Sequence, residues 1–246
     1  MRQVVFQMSV LAETIKEGAR EMGIVITEKQ VRQFEEYYSL IIERNKSLNL
    51  TAITGEREVA VKHFLDSLTC LKAVPLEDGT SLMDVGTGAG FPGIPLKICR
   101  PSVRVKLVES AEKKAVFLRE AIGRLGLEMA EAIWARAEDV GKDPDHREKY
   151  GCVVARAVAE LAVLAEYCLP AAGVGGCFLA MKGPKAEEEA VRAKDAIKIL
   201  GGRLEEIINL KLPFTGDRRS LVVIRKIGET PEKYPRRPGV PQKRPL

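Results

Sequence analysis

Two kinds of spacing divide the chain. In the first third, apolar residues recur three and four apart: Leu11, Ile15, Ala19 and Met22, then Val31, Phe34, Tyr38, Ile41 and Ile42. Positions so spaced return to one face of a helix, so both runs predict amphipathic helices. The first stops at Gly23, a natural C-terminal cap. Thr27 followed three residues later by Gln30 makes a capping box, which starts a second helix near Glu28 and carries it to about Lys46. After the loop NLTAIT, a third helix carries Val59, His63, Phe64, Ser67 and Leu71. Residues 1–75 therefore read as a helical subdomain.

From Ser81 the pattern becomes strand and helix in alternation. The predicted strands are SLMDV, VRVKLVE (103–109), AEAIWA (130–135), CVVARAV, GCFLAMK, LEEIINLKL and SLVVIRK. Between them lie helices around Ile94–Cys99, over 111–126, over ELAVLAEYC and over 186–200. Repeated βα units predict an α/β fold with a doubly wound, mainly parallel sheet over residues 76–229. It has about seven strands, and the last two, with no helix between them, form an antiparallel pair. The final stretch, 230–246, holds four prolines in YPRRPGVPQKRPL, which excludes regular structure and leaves a frayed tail or an extended basic arm on phosphate.

Composition adds a few limits. Net charge is +5, and the tail alone contributes +4 through Lys233, Arg236, Arg237, Lys243 and Arg244 against Glu232. The tail is thus the better argument for an anionic partner than the whole protein. Five cysteines form no CxxC pair and four of them lie in apolar surroundings, which reads as buried, reduced and intracellular, and two histidines are too few for a zinc site, so no metal is expected. No sustained apolar segment precedes Glu13, and Leu161–Met181 is broken by Glu166, Pro170 and glycines. Neither a signal peptide nor a membrane span is expected, and the location reads as cytoplasmic.

The candidate chemistry centres on DVGTGAGFPGIP, residues 84–95, directly after the first strand. In a doubly wound sheet, ligands sit beyond the carboxyl ends of the strands. A phosphate-binding Walker loop needs a Lys-Ser/Thr pair, which is missing. A dinucleotide fingerprint needs a third glycine where this chain has Phe91, which weighs against hydride chemistry without eliminating it. S-adenosylmethionine remains. Gly86, Gly88 and Gly90 let the backbone lie flat along such a ligand. Asp84 would position its cationic amino end, and Phe91 would wall its methionine chain. Glu109, closing the second strand, would accept from the ribose hydroxyls, and Arg136-Ala137-Glu138-Asp139 would meet the adenine, with backbone groups or Glu138 on its amino group.

With ERNKSLNLTAI and HFLDSL upstream, the RAED turn and the terminal YPRRPGVPQKRPL, the loop resembles the RsmG (GidB) family from about residue 30 to the end. These are bacterial S-adenosylmethionine-dependent methyltransferases that act on N7 of guanine 527 in the 530 loop of 16S rRNA. The resemblance implies a Rossmann-like class I methyltransferase sheet. It also implies cofactor contacts from Gly86, Phe91, Ala137, Glu138 and Arg156, with Glu109 at the ribose; Ala155 stands where many relatives carry serine before that arginine. The partner implied is 16S rRNA, free or within the 30S subunit or its precursor, with the enzyme a monomer.

The residues agree with that chemistry. Guanine N7 carries a free in-plane lone pair, so no general base is required. No Pro-Cys for cytosine C5 attack occurs, and the position of an exocyclic-amine motif after the fourth strand reads ARAV. Arg156, Lys182 and His63 are expected to position the reactants. Asn49, Lys182, Arg218, Arg219, Arg236 and Arg237 are expected to contact RNA, with Lys113 and Lys114 further candidates. For His63, Asp66 and Ser67, packing of the helices against the sheet stays open beside a role in the pocket roof. Two other functions also stay open: a small-molecule methyltransferase, and a non-catalytic RNA-binding assembly factor.

Overall fold

The computed structural model describes residues 8–156 and 159–246, so Ala157 and Val158 of the predicted strand CVVARAV and the first seven residues of the helical subdomain lie outside the described residues. The helices are α1 (Val10–Glu21), α2 (Glu28–Leu48), α3 (Glu56–Val59), α4 (Asp66–Leu68), α5 (Gly93–Cys99), α6 (Glu112–Arg124), α7 (Ala137–Val140), α8 (Leu161–Cys168), α9 (Ala186–Arg192), α10 (Lys194–Ile199) and α11 (Val240–Lys243). The strands are β1 (Ser81–Val85), β2 (Arg104–Glu109), β3 (Ala130–Trp134), β4 (Tyr150–Arg156), β5 (Ala172–Lys182), β6 (Gly202–Lys211) and β7 (Arg218–Lys226).

The capping box forms as the sequence predicts: Thr27 N donates to Gln30 Oε1 at 2.8 Å, and Thr27 Oγ1 accepts from Gln30 N. The buried face of α2 is turned from the expected one. Tyr37 and Leu40 are fully buried, whereas Tyr38 and Ile42 are only half-buried. The Tyr37 hydroxyl, donating to the carbonyl of Ala89 in the glycine loop, fixes that rotation. The expected third helix is a continuous helical stretch whose middle, Ala60–Leu65, is π-helical. The single helix expected over 186–200 is two, α9 and α10. They meet at Ala193 (φ −84°, ψ −2°), and Ala190, Ala193, Ala196 and Ile197, spaced as on one helix face, all reach the core.

The sheet runs β3-β2-β1-β4-β5-β7-β6. Its first five strands are parallel, and β7 inserts antiparallel between β5 and β6. Strand order therefore reverses between β1 and β4, the switch point where an α/β sheet opens a crevice. One face packs against α1, α2 and the stretch from Glu56 to Lys72, through Phe34, Tyr37, Phe64, Leu82, Leu107 and Leu179 in a single core. The other packs under α8, α9 and α10 through Met83, Val153, Leu164, Phe178 and Ile224. All five cysteines are free and buried in these two layers. Among the described residues no helix is long and apolar enough to cross a membrane.

The tail departs from expectation. It is folded back over the second face rather than frayed or extended, and it ends in the short helix α11. Arg147 donates to the carbonyls of Thr230 (2.6 Å) and Tyr234 (2.9 Å), and Tyr234 is itself buried. Buried Lys226 bonds Thr230 Oγ1, Leu169 O and Leu200 O. These contacts give the proline-rich segment the order that its own backbone cannot supply.

Candidate functional site

The loop after β1 is shaped by what its glycines permit. Gly86, Gly88 and Gly90 take φ of +69°, +63° and +102°, which side chains disfavour. At Gly90 a Cβ would lie 2.5 Å from Ile94 Cδ1 and 2.6 Å from the Tyr37 hydroxyl, so this glycine serves packing. At Gly88 a Cβ would meet nothing within 4 Å, so this glycine faces open space. Asp84, expected to meet a ligand's amino end, turns inward instead. It is fully buried, and its Oδ2 accepts from Thr87 Oγ1 (2.6 Å) and Gly93 N (2.7 Å), tying the loop to its strand. Its Oδ1 is buried with no hydrogen-bond partner among the described residues. Burial lifts this carboxyl from 3.8 to about 6, against the pull of Thr87, Gly93 and the Arg156 charge.

Glu109 closes β2 opposite that loop. Its Oε2 accepts from Gly88 N at 3.0 Å and its Oε1 from Ala111 N at 2.8 Å. Each carboxylate oxygen has a second lone pair, so the group is held in place with acceptor capacity left over. Beside it a cavity of about 180 Å³ is lined by Val85, Val108 and Ala135 below and Ala137, Glu138 and Tyr167 around. Gly239 and Gln242 of the tail line it too. The RAED segment is the helical turn α7, and buried Glu138 accepts from Gly239 N at 2.9 Å. Nothing in composition pointed to the tail as a wall of this pocket; its single φ-positive glycine, Gly239 (+80°), is the only local sign.

A second cluster lies across the switch point. Phe91 is buried between the His63 ring (centroids 4.6 Å apart, 23° between planes) and the Arg156 guanidinium (4.8 Å from the ring centre). It is therefore a packing centre with Tyr37 and Phe64 and does not line the cavity. Buried Asp66 forks between two arginines: Oδ2 with Arg156 Nη1 at 3.1 Å and Oδ1 with Arg219 Nε at 2.8 Å. His63 Nε2 shares a hydrogen bond with Thr51 Oγ1 at 2.8 Å. Burial first, and then the Arg156 charge, bring this imidazole from 6.5 down to about 4, so it is neutral at pH 7. Ser67 Oγ donates to His63 O. Asn49, expected on RNA, is the left-handed C-cap of α2. The residue that shapes the NLTAI loop is Asn45, which sequence reasoning missed. Its carboxamide pairs with both backbone groups of Thr51, 2.9 Å each.

The remaining basic candidates separate into tied and free. The Lys182 side chain, 8% exposed, bonds Glu189 (2.6 Å) and Ala159 O (2.8 Å), which ties it back from the open rim. Arg236, expected on phosphate, is held by fully buried Glu166 through Nε and Nη2 at 2.9 and 2.6 Å. Arg218, Arg237 and Lys113 are exposed, and Lys114 is half-buried.

Comparison with known proteins fits this geometry. The sequence model of the family described as "rRNA small subunit methyltransferase G" (GidB) matches residues 30–222. A protein of Desulforamulus reducens named ribosomal RNA small subunit methyltransferase G is 52% identical over 239 residues, covering 97% of this chain and all of that one. Among solved structures, TrmN from Thermus thermophilus superposes with a TM-score of 0.52 at 17% identity, over 66% of this chain and 48% of that one. M. jannaschii TYW2 in complex with AdoMet gives 0.51 at 16%, over 66% and 77%. At these identities the likeness is one of fold: a Rossmann-like methyltransferase sheet.

Proposed function

Because the chain belongs to the rRNA small subunit methyltransferase G family, and so to the methyltransferases of small-subunit rRNA, we propose that it transfers a methyl group from S-adenosylmethionine to N7 of guanine 527 in the 530 loop of 16S rRNA. The observation that carries this reading is the arrangement at the end of β1 and β2. There the open side of Gly88 and the held carboxylate of Glu109 stand beside a cavity of mixed polar and apolar lining that runs from Val85 and Gly86 past Ser110 to Arg136 and Glu138 of the α7 turn. A ligand with an adenine, a vicinal diol and no phosphate matches that donor set.

Gly86, Gly88 and Glu109 would hold the aminoacyl and ribose portions, and Ala137 and Glu138 the adenine side, with Phe91 supporting the loop from beneath and Arg156 stacked on it. When bound, the cofactor supplies an electrophilic methyl group on a sulfonium sulfur. Guanine N7 brings its own lone pair, so the protein's work is alignment, exclusion of water and charge placement. His63 suits that division: it is neutral, hydrogen-bonded to Thr51 and packed on Phe91, a positioning residue and not a base. Arg156 and Arg219, aimed by Asp66, give the crevice positive charge for RNA phosphate, and exposed Arg218 and Arg237 extend it. Lys182 and Arg236 act indirectly, by holding the rim and the tail. The reaction belongs to the cytoplasm, with the monomer acting on 16S rRNA, free or within the 30S subunit or its precursor.

The test maps 7-methylguanosine in 16S rRNA by borohydride/aniline strand scission in cells with and without the gene. Scission at guanine 527 is expected with the gene and lost without it. A Glu109→Ala copy should fail to restore it, and that variant should bind S-adenosylmethionine about 1–3 kcal/mol more weakly, the cost of a lost charged acceptor. Scission that persists in the deletion strain overturns the target assignment.

A further inference from the structure

The tail carries three anchors before it reaches the cavity, the first two sharing Arg147. Thr230 is fastened by Lys226, Arg147 and Glu148, whose Oε1 accepts from Thr230 N at 2.7 Å. Tyr234 is buried, and Pro235 packs on Gly141, where even a Cβ would come within 3.0 Å of its ring. Arg236 makes its bidentate pair with Glu166, which is wholly buried beneath it, and the Arg236 amide adds a third bond at 2.8 Å. Only after these fixings does the chain turn at Gly239 and place that residue and Gln242 in the cavity lining. A frayed or RNA-seeking arm has no need of such fixings. A wall does.

The contact at the end of the strap is equally pointed. Glu138 sits on the α7 turn with 4% of its surface exposed, and its Oε1 takes the Gly239 amide at 2.9 Å. A carboxylate so buried needs a donor, and the tail provides one. The same hydrogen bond fixes the α7 turn, whose Ala137 also lines the cavity. We infer that residues 239–243 are the outer wall of the cofactor cavity and that Glu138 is the positioning residue that latches this wall shut. The inference rests on the reading of the cavity as a nucleoside-binding cofactor site. It assigns the basic tail to cofactor retention instead of RNA affinity. Gln242, at the mouth, brings the one carboxamide of the wall, suited to the edge of an adenine.

A chain ending at Pro238 tests this, because it keeps Thr230, Tyr234 and Arg236 with all their anchors and removes only the wall. Calorimetric titration with S-adenosylhomocysteine, and with 5′-methylthioadenosine as a probe of the adenosine half alone, is expected to show about a tenfold loss of affinity for both. Glu138→Ala in the full chain should show a similar loss, and combining it with the truncation should add little more. Glu138→Gln, which retains an acceptor oxygen for the Gly239 amide, should lose less affinity than Glu138→Ala. Binding of a 16S rRNA fragment, and its salt dependence, should be unchanged by the truncation. If the truncated chain binds both nucleosides as well as the full chain, the wall assignment is overturned while the cofactor reading stands. If the full chain binds neither, the cofactor reading itself falls, and the wall with it. Additive losses from Glu138→Ala and truncation would overturn the latch.

Discussion

Replacing Asp84 with asparagine isolates the electrostatic cost of the buried acid beneath the glycine loop. The side chain is fully buried, with Oδ2 taking two donors and Oδ1 none among the described residues. Its ionised form is therefore the less favoured one, and the carboxyl stands at about 6 against 3.8 in water. At about 1.4 kcal/mol per tenfold, that gap corresponds to about 3 kcal/mol. The sign follows from proton linkage: between those two values the native state binds this proton and the unfolded chain releases it. The contribution of Asp84 to stability is thus fully present below about pH 4 and is lost as pH rises through about 6. Asparagine keeps an oxygen for Thr87 and Gly93 and cannot ionise. Urea unfolding at a series of pH values from 4 to 8, followed by circular dichroism, should show Asp84→Asn gaining on the parent by about 2–3 kcal/mol between pH 4 and pH 7. A difference between the two proteins that does not change with pH would refute the argument.

Four other outcomes follow from the same geometry. Gly90→Ala should cost roughly 2–4 kcal/mol in urea unfolding, from left-handed backbone plus collision with Ile94 and Tyr37. Gly88→Ala should cost only about 1–2 kcal/mol yet weaken S-adenosylhomocysteine binding markedly in calorimetry, and equal stability losses would contradict the assignment of one glycine to packing and the other to the ligand. His63 should titrate near pH 4 when its ring is followed by NMR in a His146→Gln background; its contribution to stability is complete above 6.5 and falls away as pH drops towards 4, so His63→Gln should flatten that acid limb. Asp66→Ala leaves two guanidinium groups without their shared partner and should destabilise the fold by about 2–4 kcal/mol, discounted because Arg219 is a quarter exposed, with Asp66→Asn recovering part of it.

Local chemistry in the sequence was enough to place the strands, the capping box of α2 and the glycine loop, because each depends on neighbours within a few residues. The rotation of α2 was not legible, since Tyr37 is buried by a carbonyl in a loop that the helix spacing knows nothing about. Residue types at strand ends marked Glu109 and the RAED turn, but type alone cannot say which way a carboxylate points. Asp84 and Glu109 both flank the loop; one is turned into the core and the other towards the loop's outer backbone. The basic candidates were least legible. Lys182, Arg236 and Arg218 look alike in sequence, and only the positions of Glu189 and Glu166 in space distinguish a tied cation from a free one. Proline content argued against any regular structure in the tail, which the short helix α11 contradicts, and said nothing of side-chain anchorage.

The contacts that define the site are also among those that join the most distant parts of the chain. Asp66 meets Arg156 across 90 residues and Arg219 across 153, and Glu138 meets Gly239 across 101. Contacts of such span carry the largest loop-closure entropy and reward the chain only after the intervening elements have condensed. By that argument the crevice should form late in folding. A small molecule that grips it should leave the folding rate nearly untouched and slow the unfolding rate instead, so that occupancy protects the finished protein without guiding its formation.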